Sequence, residues 1–188
     1  MIIRKATKTD SPSIARYLLL AMEEIVFEFI GENNPEKALT FMHFLVTAEN
    51  NQYSYQNCWV VEEDGSVVAA VTVYDGGQLE ELRAPVAQYV REEYKQPFNP
   101  EYETQSGEFY IDSFGVDPGQ QGKGIGSAML QFLIDEYVHK NGQILGLLVD
   151  KENPGAKKLY LKLGFRVVGE KTLVGKQMEH LQVMGNRG

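Results

Sequence analysis

Residues 116–130 read VDPGQQGKGIGSAML, and this stretch restricts the fold more than any other part of the chain. A strand-like run, GEFYIDSFGV, leads into a proline turn, after which Gly122, Gly124 and Gly126 alternate into a helical pattern. Glycine at a helix start lowers stability, so three of them imply that something approaches this backbone closely. A strand passing directly into a helix presents free N–H groups and the positive end of the helix dipole, which together bind phosphate or pyrophosphate. Lys123 could add a charge. Two familiar phosphate loops fail on spacing. G-x-x-x-x-G-K-[ST] fits Gly119 and Gly124, but Ile125 and Gly126 stand at the lysine and hydroxyl positions. G-x-G-x-x-G fails because Ser127 follows Gly126.

The rest of the chain reads as one α/β (α+β) domain over 1–188. MIIRKAT predicts a first strand. Asp10 or Ser11 can cap a helix with Pro12 in its first turn and a stripe of Ile14, Tyr17, Leu18, Ala21, Met22 and Ile25. PEKALTFMHFLVTA predicts a second helix. NCWVVEEDGSVVAAVTVY predicts two strands joined at Asp64-Gly65. Residues 75–107 are a polar excursion with a short helical pattern, open to reading as a lid, a pocket wall or a homodimer contact. The strand 107–116 and a helix from about 124 to 140 follow. ILGLLVD is apolar enough to be buried on both faces. Asn153-Pro154 opens another helix, and FRVVGEKTLV and QMEHLQVMG complete about seven strands and four helices in a mixed, mostly antiparallel sheet.

Composition narrows the function. The formal net charge of -8 argues against a nucleic-acid binder, which needs a basic surface. Apolar stretches fall far short of a membrane span. The start, MIIRKATKTD, lacks the apolar run of a signal peptide, and the single cysteine, Cys58, fits a cytoplasmic setting. Cys58 on its apolar strand reads as a buried thiol rather than a nucleophile. His43, His139 and His180 show no metal-ligand spacing, and no metal is expected.

Gln121-Gly122-Lys123-Gly124-Ile125-Gly126 matches the [Q/R]-x-x-G-x-[G/A] motif of the GCN5-related N-acetyltransferase (GNAT) superfamily, five residues after Val116. Further along, Asn153, Ala156, Tyr160 and Gly164-Phe165 follow a second element of that family, N-x-x-A-x-x-x-Y-x-x-x-G-F. Over residues 107–168 the chain therefore resembles this superfamily, which implies a GNAT-like sheet that splits where acetyl-CoA binds.

The resemblance implies roles for particular residues. The pyrophosphate of acetyl-CoA would lie over Gln121, Gly122, Lys123, Gly124, Ile125 and Gly126, with Ser127 helping. The pantetheine arm would pair with the backbone of Phe114 and Val116 where the fourth and fifth strands part. Gly115 in that strand signals a bulge or a close backbone approach, and the Val116 N–H would face the thioester oxygen. Tyr160 would protonate the departing thiolate, and Asn153 would lie near the CoA arm unless it is a plain helix cap.

The general base is a separate question. Strand alternation places Glu108, Tyr110, Asp112, Phe114 and Val116 on one face, making Asp112 and Glu108 candidates to deprotonate an alkylammonium. Asp112 is favoured as the nearer to the reaction centre. Some family members carry glutamate at the position of Tyr110, and this chain departs from them there. The acceptor, a small-molecule or peptide amine, would enter near Glu23, Glu24, Phe27, Glu28 and Phe29, with Tyr53 and Tyr55. The expected activity is acetyl transfer by direct attack in a ternary complex; the alternatives are a non-catalytic acyl-CoA sensor or scaffold and transfer of a longer acyl chain.

Overall fold

The computed structural model describes residues 1–185; residues 186–188, the end of the expected domain, lie outside the described residues. Seven strands form one sheet: β1 (Ile2–Lys5), β2 (Cys58–Glu63), β3 (Ser66–Asp75), β4 (Phe109–Val116), β5 (Leu145–Asp150), β6 (Arg166–Leu173) and β7 (Lys176–Val183). Their spatial order is β1-β2-β3-β4-β5-β7-β6, and every pairing is antiparallel except β4 with β5. The helices are α1 (Ser11–Ile30), α2 (Pro35–Thr47), α3 (Leu79–Tyr89), α4 (Ile125–Leu133) and α5 (Pro154–Lys162). That is one helix more than the sequence predicts, because the excursion folds as α3 and continues through a π-helical turn, Val90–Tyr94. No helix among the described residues is long and apolar enough to cross a membrane.

Two cores lie on opposite faces of the sheet. One joins α1, α2 and α3 through Ile14, Leu18, Phe41, Leu45 and Val86. The other joins α4 to the sheet through Met129, Leu133, Val71, Ile111 and Leu147, with α5 packed against it. Asp64 (φ 49°) and Gly65 (φ 75°) make the left-handed hairpin turn that their sequence predicts. Asp10 stands at the start of α1, but its carboxylate does not cap the helix. It accepts from both terminal nitrogens of Arg4 (2.8 and 3.0 Å) and from the Thr7 N–H (2.7 Å), tying the helix start to β1.

α1 breaks at Met22, whose φ of -136° and ψ of 22° are not helical. The break ends the predicted stripe: Ala21 turns outward, and Val26, Phe29 and Ile30 carry the buried face onward. On β4, Thr72 pairs with Ser113 and Val73 with Ile111, so the extra residue of a β-bulge is Asp112, not Gly115. Gly115 is instead the close approach: a Cβ there would stand 2.5 Å from the Tyr17 carbonyl carbon and nearer still to its oxygen. A one-residue slip exchanges the faces of a strand. Tyr110 and Asp112 therefore face α1 and α3, while Phe114 and Val116 pack with the α4 core, and the single-face expectation fails.

Candidate active site

β4 and β5 pair at Phe109–Leu145, Tyr110–Gly146 and Ile111–Leu147 and then separate. From Asp112 to Val116, β4 keeps its β3 neighbour and lacks one on the β5 side. The Asp117 N–H donates to the Val68 carbonyl on β3 at 2.8 Å. Strand alternation then turns the N–H groups of Val116 and Phe114 the other way, into the gap. A cavity of about 860 Å³ runs through this parting. Asp112 and Phe114 line it from β4, Leu147–Asp150 from β5, Asn153 from the cap of α5, and Ala156 and Tyr160 from α5 itself. On the acceptor side the broken part of α1 contributes residues 20–25, including Glu23 and Glu24, with Phe29 beyond. Tyr53 also lines it; Phe27, Glu28 and Tyr55 do not, and the Tyr55 hydroxyl donates to Glu49 at 2.9 Å. The excursion is a wall of this space, through Arg83, Phe98, Pro100 and Glu103. Across the cavity mouth the β6–β7 turn is held by Lys176 to Glu24 (2.7 Å) and by the Val174 N–H to Glu101 (2.9 Å).

The glycine loop follows β4 directly. Asp117 fixes its first turn by accepting from the Gly119 N–H at 2.7 Å, and its Oδ2 lies 3.1 Å from the Tyr17 hydroxyl. Gly122 (φ 79°) and Gly124 (φ 81°) are left-handed, and a Cβ on either would meet nothing within 4 Å. Gly124 occupies the N-cap of α4 without any side-chain cap, so the first-turn N–H groups of Ile125, Gly126 and Ser127 face outward unclaimed by a capping side chain. Gln121 and Lys123 are exposed beside them, and Lys123 Nζ donates to Gln120 at 2.7 Å. Open space, missing Cβ atoms and a bare helix N-terminus fit a bound pyrophosphate.

Tyr160 is half-buried, with its ring edge-on to Phe165 at 5.9 Å. Its hydroxyl makes no hydrogen bond to another described residue, and burial pushes its pKa up. Asn153 is a helix cap, its Oδ1 accepting from the Ala156 N–H at 3.1 Å, although it still lines the cavity. Cys58 is buried beside Thr72 and its thiol is pushed up to about 12 by burial, which leaves no thiolate for nucleophilic work.

The Asp112 carboxylate meets a group of residues that sequence patterns did not single out. Gln52 Nε2 lies 2.6 Å from Glu103 Oε1, 2.7 Å from Asp112 Oδ2 and 3.1 Å from the Tyr74 hydroxyl. Tyr74 donates to the same Asp112 oxygen at 2.7 Å, and Arg83 Nη2 donates to Glu103 Oε1 at 2.9 Å. Burial, reinforced by the neighbouring Asp112 and opposed by Arg83, raises Glu103 to about 8. Burial also raises Asp112, against the hydrogen bonds from Gln52 and Tyr74. Two carboxyl groups in contact with one amide cannot both ionise freely, so the pair titrates as a unit. Two polar atoms of this group, Gln52 Oε1 and Arg83 Nε, are buried with no hydrogen-bond partner among the described residues.

Glu108, the other candidate base, does not line this cavity. Its buried carboxylate accepts from Thr104 (2.7 Å), His180 Nε2 (2.8 Å) and Gln182 (2.6 Å). Burial works to raise its pKa, but those donors overcome it and hold Glu108 below the ordinary range. Gly146 makes room for it: a Cβ there would stand 2.7 Å from the Glu108 carboxyl carbon. His180, for which the sequence suggested no role, is thus part of a clamp between β4 and β7.

Comparison with known proteins agrees with this geometry. The acetyltransferase (GNAT) family pattern matches residues 20–165. A stretch of 62 residues is 39% identical to N-alpha-acetyltransferase RimI of Mycobacterium tuberculosis; it spans 33% of this chain and only 37% of that protein. A crystal structure of an acetyltransferase is 30% identical, with a TM-score of 0.80 over 98% of this chain and 99% of its own. The N-acetyltransferase from Staphylococcus aureus Mu50 shares the fold at 21% identity, with a TM-score of 0.83 over 97% of this chain and 100% of its own. The yncA protein of Salmonella typhimurium, whose structure contains its cofactor acetyl-CoA, is 19% identical and has a TM-score of 0.56 over 100% of this chain and 95% of its own. With a parted sheet, a glycine loop at the head of α4 and a family match over most of its length, this chain belongs to the GNAT family of acetyltransferases.

Proposed function

We propose that the protein transfers the acetyl group of acetyl-CoA to an amine by direct attack in a ternary complex. The observation that carries this reading is the cavity through the β4–β5 parting, with Asp112 on one wall and Tyr160 on the other. The N–H groups of the loop from Gln121 to Ser127 hold the pyrophosphate, and the unpaired edge of β4 at Phe114 and Val116 pairs with the pantetheine arm. Asp112 receives a proton from the acceptor's ammonium, directly or through water. The Val116 N–H stabilises the oxygen as negative charge develops on it. Tyr160 gives a proton to the leaving thiolate. A thiol has a pKa of about 8.5 and a phenol about 10, so this transfer is uphill on its own and proceeds in concert with loss of the amine proton.

The test is Tyr160→Phe in a thiol-release assay with acetyl-CoA and a panel of primary amines. The expected result is a fall in kcat of about 100-fold or more with acetyl-CoA affinity unchanged within about twofold. Turnover retained within about threefold would remove Tyr160 from the mechanism. A wild-type protein that binds acetyl-CoA and acetylates nothing in the panel would favour the sensor reading, and faster turnover with a longer acyl-CoA would favour the third.

A further inference from the structure

We propose that the cluster of Gln52, Arg83, Glu103 and Asp112 is the site that reads the acceptor's positive charge, with one proton and the acceptor's ammonium as alternative occupants. This rests on the acetyltransferase reading above and adds the residue that selects the acceptor, Glu103, together with the class selected: a primary alkylamine in its ammonium form.

The argument starts from charge. The cluster contains one guanidinium, Arg83, and two carboxyl groups, Glu103 and Asp112, all within a linked set of hydrogen bonds. Glu103 is 5% exposed and Gln52 1%. With both carboxyls ionised, this buried group is one positive charge short, and an uncompensated buried charge is strongly unfavourable. A single proton or a single ammonium corrects the deficit. The titratable and charged groups facing the pair are Arg83 on α3, Tyr53 ahead of β2, Tyr74 on β3, Tyr110 on β4 and Cys58 on β2, whose thiol burial keeps protonated. Burial holds the three phenols neutral, so they leave the deficit in place.

Hydrogen bonding points the same way. Gln52 turns its Nε2 to the carboxylates, which leaves Oε1 as a buried acceptor with no donor. An ammonium supplies that donor and two more for the carboxylate oxygens. The rings of Tyr53 and Tyr110 line the same cavity and suit a cation carried on a slim apolar chain. Arg83 is bound through its terminal nitrogens to Glu103 and to the carbonyls of Pro100 and Glu101, which fixes its charge beside the pair.

Protons balance through one cycle. The entering ammonium displaces the proton of the pair to solvent. The pair then takes one proton from the ammonium, which leaves a neutral nitrogen lone pair. That nitrogen forms its bond to the acetyl carbon as the carbon–sulfur bond breaks. The second proton leaves the nitrogen as the amide forms, and the thiolate gains one through Tyr160. The net products are amide, CoA thiol and one proton.

The test uses the full-length protein saturated with CoA and titrated at pH 7 with n-butylamine and with 1,4-diaminobutane. Calorimetry in two buffers of different ionisation enthalpy counts the protons released. We expect release of about one proton per amine bound. Glu103→Gln should bind CoA like the wild type, bind amine about tenfold or more weakly, and release no proton. Asp112→Asn should behave likewise, which guards against a folding defect peculiar to one variant. Amine binding without proton release, equal amine affinity in Glu103→Gln, or no amine binding to the CoA-loaded protein would each overturn the inference while leaving the acetyl-CoA site intact. Failure to bind CoA at all would overturn the acetyltransferase reading beneath it.

Discussion

Gly115→Ala adds one methyl group where β4 is pressed against the backbone of α1. The new Cβ would lie 2.5 Å from the Tyr17 carbonyl carbon and 3.1 Å from its Cα, whereas ordinary contact begins near 3.4 Å. Both atoms are main chain, so no rotamer change relieves the clash. α1 or β4 must move by about 1 Å or more, and such overpacking costs about 1–3 kcal/mol. The Tyr17 hydroxyl donates to the Val67 carbonyl (2.8 Å) and lies 3.1 Å from Asp117 Oδ2, so retreat of α1 also stretches this contact, at about 1 kcal/mol. A loss of about 3 kcal/mol is therefore expected in urea unfolding followed by the fluorescence of Trp59. Because Asp117 anchors the glycine loop, acetyl-CoA affinity should fall as well. Gly126→Ala is the matched control. Its Cβ would meet the Phe114 ring at 3.7 Å, an ordinary contact, and alanine in a helical turn is favoured over glycine by about 0.5–1 kcal/mol. The two substitutions should shift stability in opposite directions. A Gly115→Ala protein within about 0.5 kcal/mol of wild type would refute the idea that this glycine exists to admit α1.

Three further outcomes follow from the geometry. Val174 is a β-branched residue at φ 48° in the β6–β7 turn beside Gly175 at φ 75°, so Val174→Asn should stabilise the fold by about 1 kcal/mol; a lower Tm would contradict the strain assigned to this turn. The folded-state pKa of Glu103, about 8 against an ordinary 4.5, means that its proton stabilises the fold fully below about pH 4.5, and that this contribution is lost as pH rises toward 8. Glu103→Gln should flatten that decline in urea midpoints between pH 5 and about 8.5, and an unchanged slope would place the proton elsewhere. Glu108→Ala strands the buried donors of His180, Gln182 and Thr104 and should cost about 2–4 kcal/mol, whereas lost turnover with unchanged stability would restore Glu108 as a catalytic base.

The glycine loop and the helix bearing Tyr160 were legible because both are local: a left-handed glycine or an Asn-Pro start is written in adjacent residues. The same holds for Asp64-Gly65. The orientation of β4 was not, because a single bulge residue, Asp112, reverses which faces its neighbours occupy, and nothing in EFYIDSFGV distinguishes a bulge at Asp112 from one at Gly115. The acid cluster was hidden for another reason. Gln52, Arg83 and Glu103 come from separate polar segments that look like solvent-facing surface, and only the packing of α3 and the following stretch against β4 buries them. Glu108 shows the converse: its fate was set by His180 and Gln182, more than seventy residues away.

The parting of β4 from β5 gives the sheet a third edge, placed in its interior. An exposed strand edge is ordinarily a template on which other chains add strands, and proteins blunt it with charge, proline or a covering element. Here β5 diverges alongside it, α5 lies over the gap and the broken part of α1 faces it from the other side. These elements cover the opened edge, so it is reached only through the cavity that they line. The protein can thus keep a row of backbone donors and acceptors unsatisfied, ready for a small molecule, without offering them to aggregation.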